Sequence, residues 1–139
     1  LFRSDKMKKM IAAACMLTMG LTMGCTGQNA GYQSISAEEA HARMARPDAV
    51  VIDVREPAEY KAGHVPGARL LPLGSIDKES AAAVIPDQGT EVLVYCRSGV
   101  RSKKGAEKLA ALGYERVSEF GGILQWPYEV VRGESGAAE

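Results

Sequence analysis

After residue 25 the chain contains a single cysteine, Cys96, so its main body cannot close an internal disulfide. Two histidines, His41 and His64, and that one cysteine make no metal-ligand cluster, and no metal or organic cofactor is expected. Net charge is lacking too: 17 Lys and Arg balance 17 Asp and Glu. That removes the global basic field expected of a nucleic-acid binder. There is no internal repeat, and no apolar run reaches the roughly 20 residues a membrane-spanning helix needs. With 139 residues, 46% hydrophobic and 24% charged, the remaining class is one ordinary globular domain, expected to act as a monomer without nucleic acid.

The balanced charge conceals two unlike parts. Residues 1–24 hold Arg3, Lys6, Lys8 and Lys9 against Asp5 alone, which leaves the remainder net acidic, and every methionine except Met44 precedes Cys25. From Met7 the chain runs through Lys8 and Lys9 into an apolar stretch, Met10 to Met23, whose only polar side chains are Thr18 and Thr22. This resembles a secretory signal peptide, with Leu1 to Lys6 lying upstream of a natural-looking start. Its end, Leu21-Thr22-Met23-Gly24-Cys25, resembles a bacterial lipoprotein signal, although Thr22 stands where such signals usually carry Leu. The expected organisation is a leader over 1–24, a polar tether over 25–31, a domain over 32–132 and a flexible tail over 133–139. Cys25 would carry a lipid and anchor an exported domain to a membrane on its periplasmic or cell-surface side; plain cleavage near the same point is the alternative.

Within the domain, Ser36 with Glu39 predicts a capping box opening a helix that runs through Met44 and stops before Pro47. Val50–Val54 and Glu91–Tyr95 are continuous apolar runs of the kind buried on both faces of a sheet. Leu70 and Leu71 suggest a short strand after Pro66 and Gly67. The spacing of Ala106, Leu109, Ala110 and Gly113 predicts a helix over 101–112. A strand over 116–120 then leads through Gly121 and Gly122 to a final helix near 124–131. Alternating strands and helices imply an α/β fold with a central, mainly parallel sheet flanked by helices on both faces. Ligands of such sheets bind beyond the carboxyl ends of the strands, where Asp53, Arg55, Cys96, Gly121 and Gly122 fall.

Cys96-Arg97-Ser98-Gly99-Val100-Arg101-Ser102 joins a buried strand to a helix N-terminus. Successive backbone amides of such a loop converge on one point, and the helix dipole adds positive potential. A cysteine placed there favours the thiolate, its nucleophilic form. Arg97 and Arg101 add two charges, extended by Lys103 and Lys104, so the local field opposes the acidic balance of the domain and suits an anionic substrate.

Three ordered stretches are similar to those of the single-domain rhodanese (thiosulfate sulfurtransferase-like) family. They are Asp53-Val54-Arg55-Glu56-Pro57-Ala58-Glu59-Tyr60 with Gly63-His64-Val65-Pro66-Gly67-Ala68, then Cys96 to Ser102, and finally Gly121-Gly122-Ile123-Leu124-Gln125-Trp126. The resemblance implies a rhodanese-like fold with Cys96 as a nucleophile carrying a persulfide. A small anionic donor such as thiosulfate would supply the sulfur, and cyanide or a thiol would accept it. Arg97, Ser98, Gly99, Val100, Arg101 and Ser102 would cradle the persulfide and substrate, with Asp53 and Arg55 in support. Asp53 and Arg55 could equally form an ion pair that only holds the loop. His64 reads as a turn residue rather than a base for Cys96, Gly121 and Gly122 as turn formers, and Trp126 as core or pocket wall. Cysteine-dependent phosphatases and arsenate reductase share such loops, but phosphatases place five residues between Cys and Arg where this chain has Arg97 to Val100 alone. A tethered persulfide carrier serving a protein partner is the remaining alternative.

Overall fold

The computed structural model describes residues 31–133. The expected leader with Cys15, the tether with Cys25, and the tail beyond Gly133 lie outside the described residues. Five strands form one sheet: β1 (Tyr32–Ser34), β2 (Val50–Asp53), β3 (Arg69–Leu70), β4 (Glu91–Cys96) and β5 (Arg116–Gly122). Their order is β1-β5-β4-β2-β3, and every pairing is parallel. Helices α1 (Ala37–Arg43), α2 (Pro57–Ala62), α3 (Lys78–Val84) and α4 (Val100–Ala111) complete the frame.

The central strand β4 is buried along its whole length, which explains its unbroken apolar run. Its side chains alternate between two cores. Val92, Val94 and Cys96 pack with Ala81 of α3 and with Ala106 and Leu109 of α4. Leu93 and Tyr95 pack on the other face with Ala40 of α1 and Tyr60 of α2. Helices thus cover both faces, as expected.

Local chemistry sets the element ends, and in places departs from expectation. Ser36 caps α1 by accepting from the Glu39 amide at 3.0 Å, but the reciprocal arm of the capping box is missing. The Glu39 carboxylate instead takes Arg43 Nε at 2.8 Å, one turn on. Helices α2 and α3 are too short for their periodicity to be conspicuous. Their caps are plain in the structure: Glu56 with Glu59 around Pro57, and Asp77 with Ser80. Strand β3 begins one residue before the Leu70–Leu71 pair, whereas β4 and β5 run on to Cys96 and Gly122. The final helix near 124–131 does not form. A 3-10 turn over Ile123–Gln125 is followed by extended chain, and Val131 bridges His64 in an antiparallel pair. Pro127 is the reason, since it lacks an amide and bars the helical conformation at Trp126, which adopts φ −79° and ψ 114°.

Because all strands run the same way, the ends of β2, β4 and β5 meet at one pole. The register of β4 against β5 slips between Val94 and Cys96, which sets Gly122 beside Cys96. Gly31, at the start of β1, lies at the opposite pole.

Candidate active site

Strand β4 delivers Cys96 as its last residue, with no exposed surface. Three residues on, Gly99 adopts φ +115°, a left-handed conformation that residues with a Cβ resist. This bend turns the Gly99 amide back to donate to Cys96 Sγ at 3.0 Å. Val100 then opens the 12-residue helix α4, so the positive end of its dipole adjoins the sulfur.

The loop is braced from behind by β5. A Cβ at Gly122 would collide with the Arg97 carbonyl, and the same carbonyl accepts the Leu124 amide at 3.2 Å. Glu119, 3% exposed, lies beneath. Its Oε1 accepts from Ser102 Oγ at 2.8 Å and from the Gly121 amide at 2.9 Å. Ser102 Oγ is also 2.9 Å from the Gly99 carbonyl, so its one proton serves either acceptor. Gly121 takes φ +86°, the turn conformation expected of it, whereas Gly122, also expected to form a turn, is extended at φ −132° and ψ 158° as the last residue of β5, and it is the close approach of the Arg97 carbonyl that excludes a side chain there.

The charged residues separate into engaged and free. Asp53 is fully buried and takes Arg55 Nε at 2.9 Å, Arg55 Nη2 at 2.7 Å and the Tyr95 hydroxyl at 2.7 Å. Arg55 reaches on to the Gly63 carbonyl at 2.7 Å, and Tyr95 Oη accepts the Val65 amide at 3.0 Å. Burial and the neighbouring Asp53 raise the Tyr95 phenol above its ordinary pKa, so it stays a donor. Asp53 and Arg55 thus form an ion pair joining the end of β2 to the β4 side chain and the 63–65 turn, and Arg55 at the same time lines the cleft that holds Arg97. Arg101 is engaged as well, in a bidentate pair with Glu59 at 2.9 and 2.9 Å. Those hydrogen bonds hold the Glu59 carboxyl down at about 2. Arg97 is exposed, and its side chain has no ion-pair or hydrogen-bond partner among the described residues. It lines a cleft of about 270 Å³ with Arg55, Glu59, Gly63, Ile123 and Leu124.

Of the other residues considered, Ser98 and Val100 are exposed on the loop, whereas Ser102 is buried beneath it. His64 is fully buried, with Nδ1 2.8 Å from the Tyr60 carbonyl and its ring stacked 3.7 Å above Tyr60. The donor at Cys96 Sγ is the Gly99 amide, not this imidazole. Trp126 packs 5.4 Å from Phe120 in the core on the α1 and α2 face of the sheet and donates Nε1–H to the Glu129 carbonyl at 3.0 Å. Among the described residues no group of three His, Cys, Asp or Glu could hold a metal ion. Sequence reasoning overlooked Glu59 and Glu119. A carboxylate in the otherwise buried β5 was the available signal for Glu119, since an acid in a sheet interior needs partners.

The family model for a rhodanese-like domain matches residues 36–128. The chain is 39% identical over 82 residues to thiosulfate sulfurtransferase PspE of Escherichia coli K12, a match covering 59% of this chain and 78% of that protein. It is 37% identical over 94 residues to a sulfurtransferase of Allochromatium vinosum, covering 66% of this chain and 85% of the relative. Among solved structures, a rhodanese with anions from E. coli superposes with a TM-score of 0.57 at 38% identity, over 61% of this chain and 99% of that one. The matched span contains strands β2 to β5, the Cys96 turn and its bracing from β5, and on that ground the chain belongs to the rhodanese-like family of sulfurtransferases.

Proposed function

We propose that the protein moves a sulfane sulfur from thiosulfate or a similar anionic donor to a thiophilic acceptor through a persulfide on Cys96. The observation that carries this reading is the Gly99 amide aimed at Cys96 Sγ at 3.0 Å, beside a cleft whose one unpaired cation is Arg97. In the first half-reaction the Cys96 thiolate attacks the outer sulfur of thiosulfate. The S–S bond of the donor breaks, sulfite departs with the bonding pair, and Arg97 stabilises its charge. Cys96 has no exposed surface, so the slim outer sulfur rather than the sulfonate is the part that enters the turn. In the second half-reaction an acceptor thiolate or cyanide attacks the outer persulfide sulfur, and Cys96 leaves as thiolate. The cycle needs no metal or organic cofactor.

A phosphatase on the same fold is disfavoured because only Arg97 to Val100 separate Cys96 from Arg101, and Ser102 occupies the phosphatase arginine position. A shorter turn suits one sulfur atom better than a phosphoryl group. The reading is completed by location: a lipid on Cys25 would anchor the domain, supported by Lys8, Lys9, the Met10–Met23 run and Gly24 before Cys25.

Intact mass tests the chemistry. After incubation with thiosulfate the protein gains one sulfur, cyanide removes it, and Cys96→Ser gains none while keeping its thermal unfolding transition. A folded Cys96→Ser variant that still turns over thiosulfate rules the assignment out.

A further inference from the structure

At the pole opposite Cys96, the amino ends of β4 and β5 and the end of α1 border a cavity of about 500 Å³, wider than the cleft beside Arg97. Glu91, the first residue of β4, stands in its wall with a side chain only 5% exposed. A buried carboxylate needs a cation, and one bidentate arginine would serve. The chain brings three. Glu91 Oε2 is 3.2 Å from Arg43 Nη1, and Oε1 is 2.8 Å from Arg46 Nη1 and 3.6 Å from Arg116 Nη2. These arginines come from the last residue of α1, the turn after it and the first residue of β5, and all three line the cavity.

Their donors outnumber the acceptors offered to them. Arg43 Nε donates to Glu39 at 2.8 Å, Arg43 Nη1 also to Ser118 Oγ at 3.3 Å, and Arg116 Nη1 to the Gly89 carbonyl at 3.3 Å. Nη2 of each arginine has no hydrogen-bond acceptor among the described residues. Ser118 gives a second, independent sign. It lines the cavity at 4% exposure and accepts from Arg43, yet its own hydroxyl proton has no acceptor among the described residues. The opposing charges are Glu115, exposed in the same wall, and Glu39, half exposed beyond it on Arg43. Three arginines against Glu91 and Glu115 leave the lining net positive.

We infer that this cavity is a second anion site, separate from the Cys96 turn, and that it binds a phosphate group. Guanidinium forks arriving from three segments, with a buried hydroxyl between them, suit the several oxygens of a tetrahedral phosphate. A planar carboxylate is already supplied from one side by Glu91. Two sources share the phosphate chemistry: the free ion and the headgroup of an anionic phospholipid. Gly31 lines the cavity, and the six residues that lead to it from Cys25 span at most about 20 Å. A lipid on Cys25 would therefore hold this pole within reach of headgroups. The site itself rests neither on that anchor nor on sulfur transfer at Cys96.

The test uses the full chain in detergent at constant ionic strength, with inorganic phosphate titrated by calorimetry. The parent should bind phosphate, and Arg46→Gln combined with Arg116→Gln, two half-exposed positions, should weaken that binding about tenfold. Lys78→Gln combined with Lys104→Gln removes the same charge from exposed positions elsewhere and should leave it unchanged. Glu115→Gln should tighten it about threefold by removing the opposing carboxylate. Absence of binding overturns the inference, as does an equal loss in the two double variants, which would report net charge alone. Phosphate binding that survives the arginine double variant and is lost in Arg97→Ala belongs to the Cys96 cleft and overturns it too. If the arginine double variant does not fold, Glu115→Gln decides, and binding that it fails to tighten overturns the inference. Sedimentation with vesicles then assigns the source. For a headgroup, the preference for phosphatidylglycerol-containing over pure phosphatidylcholine vesicles should fall about fivefold in the arginine double variant and hold in the lysine one. A preference that both retain, beside arginine-dependent phosphate binding, assigns the free ion.

Discussion

Arg97 and Arg101 flank the same turn with the same charge, yet their surroundings give them different consequences. Arg101 is bidentate with Glu59, which also lines the cleft, whereas Arg97 is exposed and unpaired. Removing Arg101 therefore leaves a bare carboxylate facing an anionic donor. Arg101→Ala should raise the KM for thiosulfate, and adding Glu59→Gln should recover most of that loss. Arg97→Ala should raise it about tenfold, with no recovery from Glu59→Gln, because a direct charged contact is lost. Steady-state kinetics on the single and double variants decide the matter; equal recovery in both backgrounds would contradict the separate roles. Cys96 was legible in the sequence because a cysteine between an apolar strand and a basic helix start sits where positive potential stabilises a thiolate. The partners of Arg101 and Ser102 were not, since Glu59 and Glu119 lie 42 and 17 residues away along the chain.

The turn that holds Cys96 is shaped by two elements at once, β4 with its loop and the end of β5. Gly122 is where they touch most closely, because a Cβ there would strike the Arg97 carbonyl. Since backbone cannot yield as a flexible side chain does, Gly122→Ala should destabilise the protein by about 2 kcal/mol or more. It should also abolish sulfur loading at Cys96. Gly74→Ala is the matched control, with nothing within 4 Å of the added Cβ, and should stay within about 0.5 kcal/mol of the parent. Urea unfolding with mass analysis of loading reads both; wild-type loading by Gly122→Ala would show that this packing does not shape the turn. At this scale the long buried strands and α4 were predictable from periodicity. The expected helix near 124–131 failed because Pro127 outweighed its pattern, and because pairing with His64 through Val131 gives that backbone its partners.

A parallel sheet separates the two ends of the molecule. Cys96 lies at the carboxyl ends of the strands, and Gly31, where the tether would join, lies at the other pole, about 20 Å away along the six residues of β4. A lipid on Cys25 would then hold the domain by the pole opposite the Cys96 turn, leaving that turn open to solvent. Cys25→Ala should shift the protein from the membrane to the soluble fraction without changing thiosulfate loading of Cys96. Detergent-free fractionation with N-terminal mass analysis checks this; an unmodified Cys25 in a soluble parent protein would rule lipidation out. The sequence by itself determined the α/β class, the parallel sheet and Cys96 as the candidate nucleophile, because apolar periodicity and a cysteine at a strand-to-helix junction are local properties of the chain. Only the tertiary structure decided which arginine stays free, that Asp53 binds Arg55 and Tyr95, and that Glu119 braces the loop. Each of those depends on which distant segments meet at the end of the sheet, and on carboxylates and guanidinium groups choosing partners only once burial has removed water as the competitor.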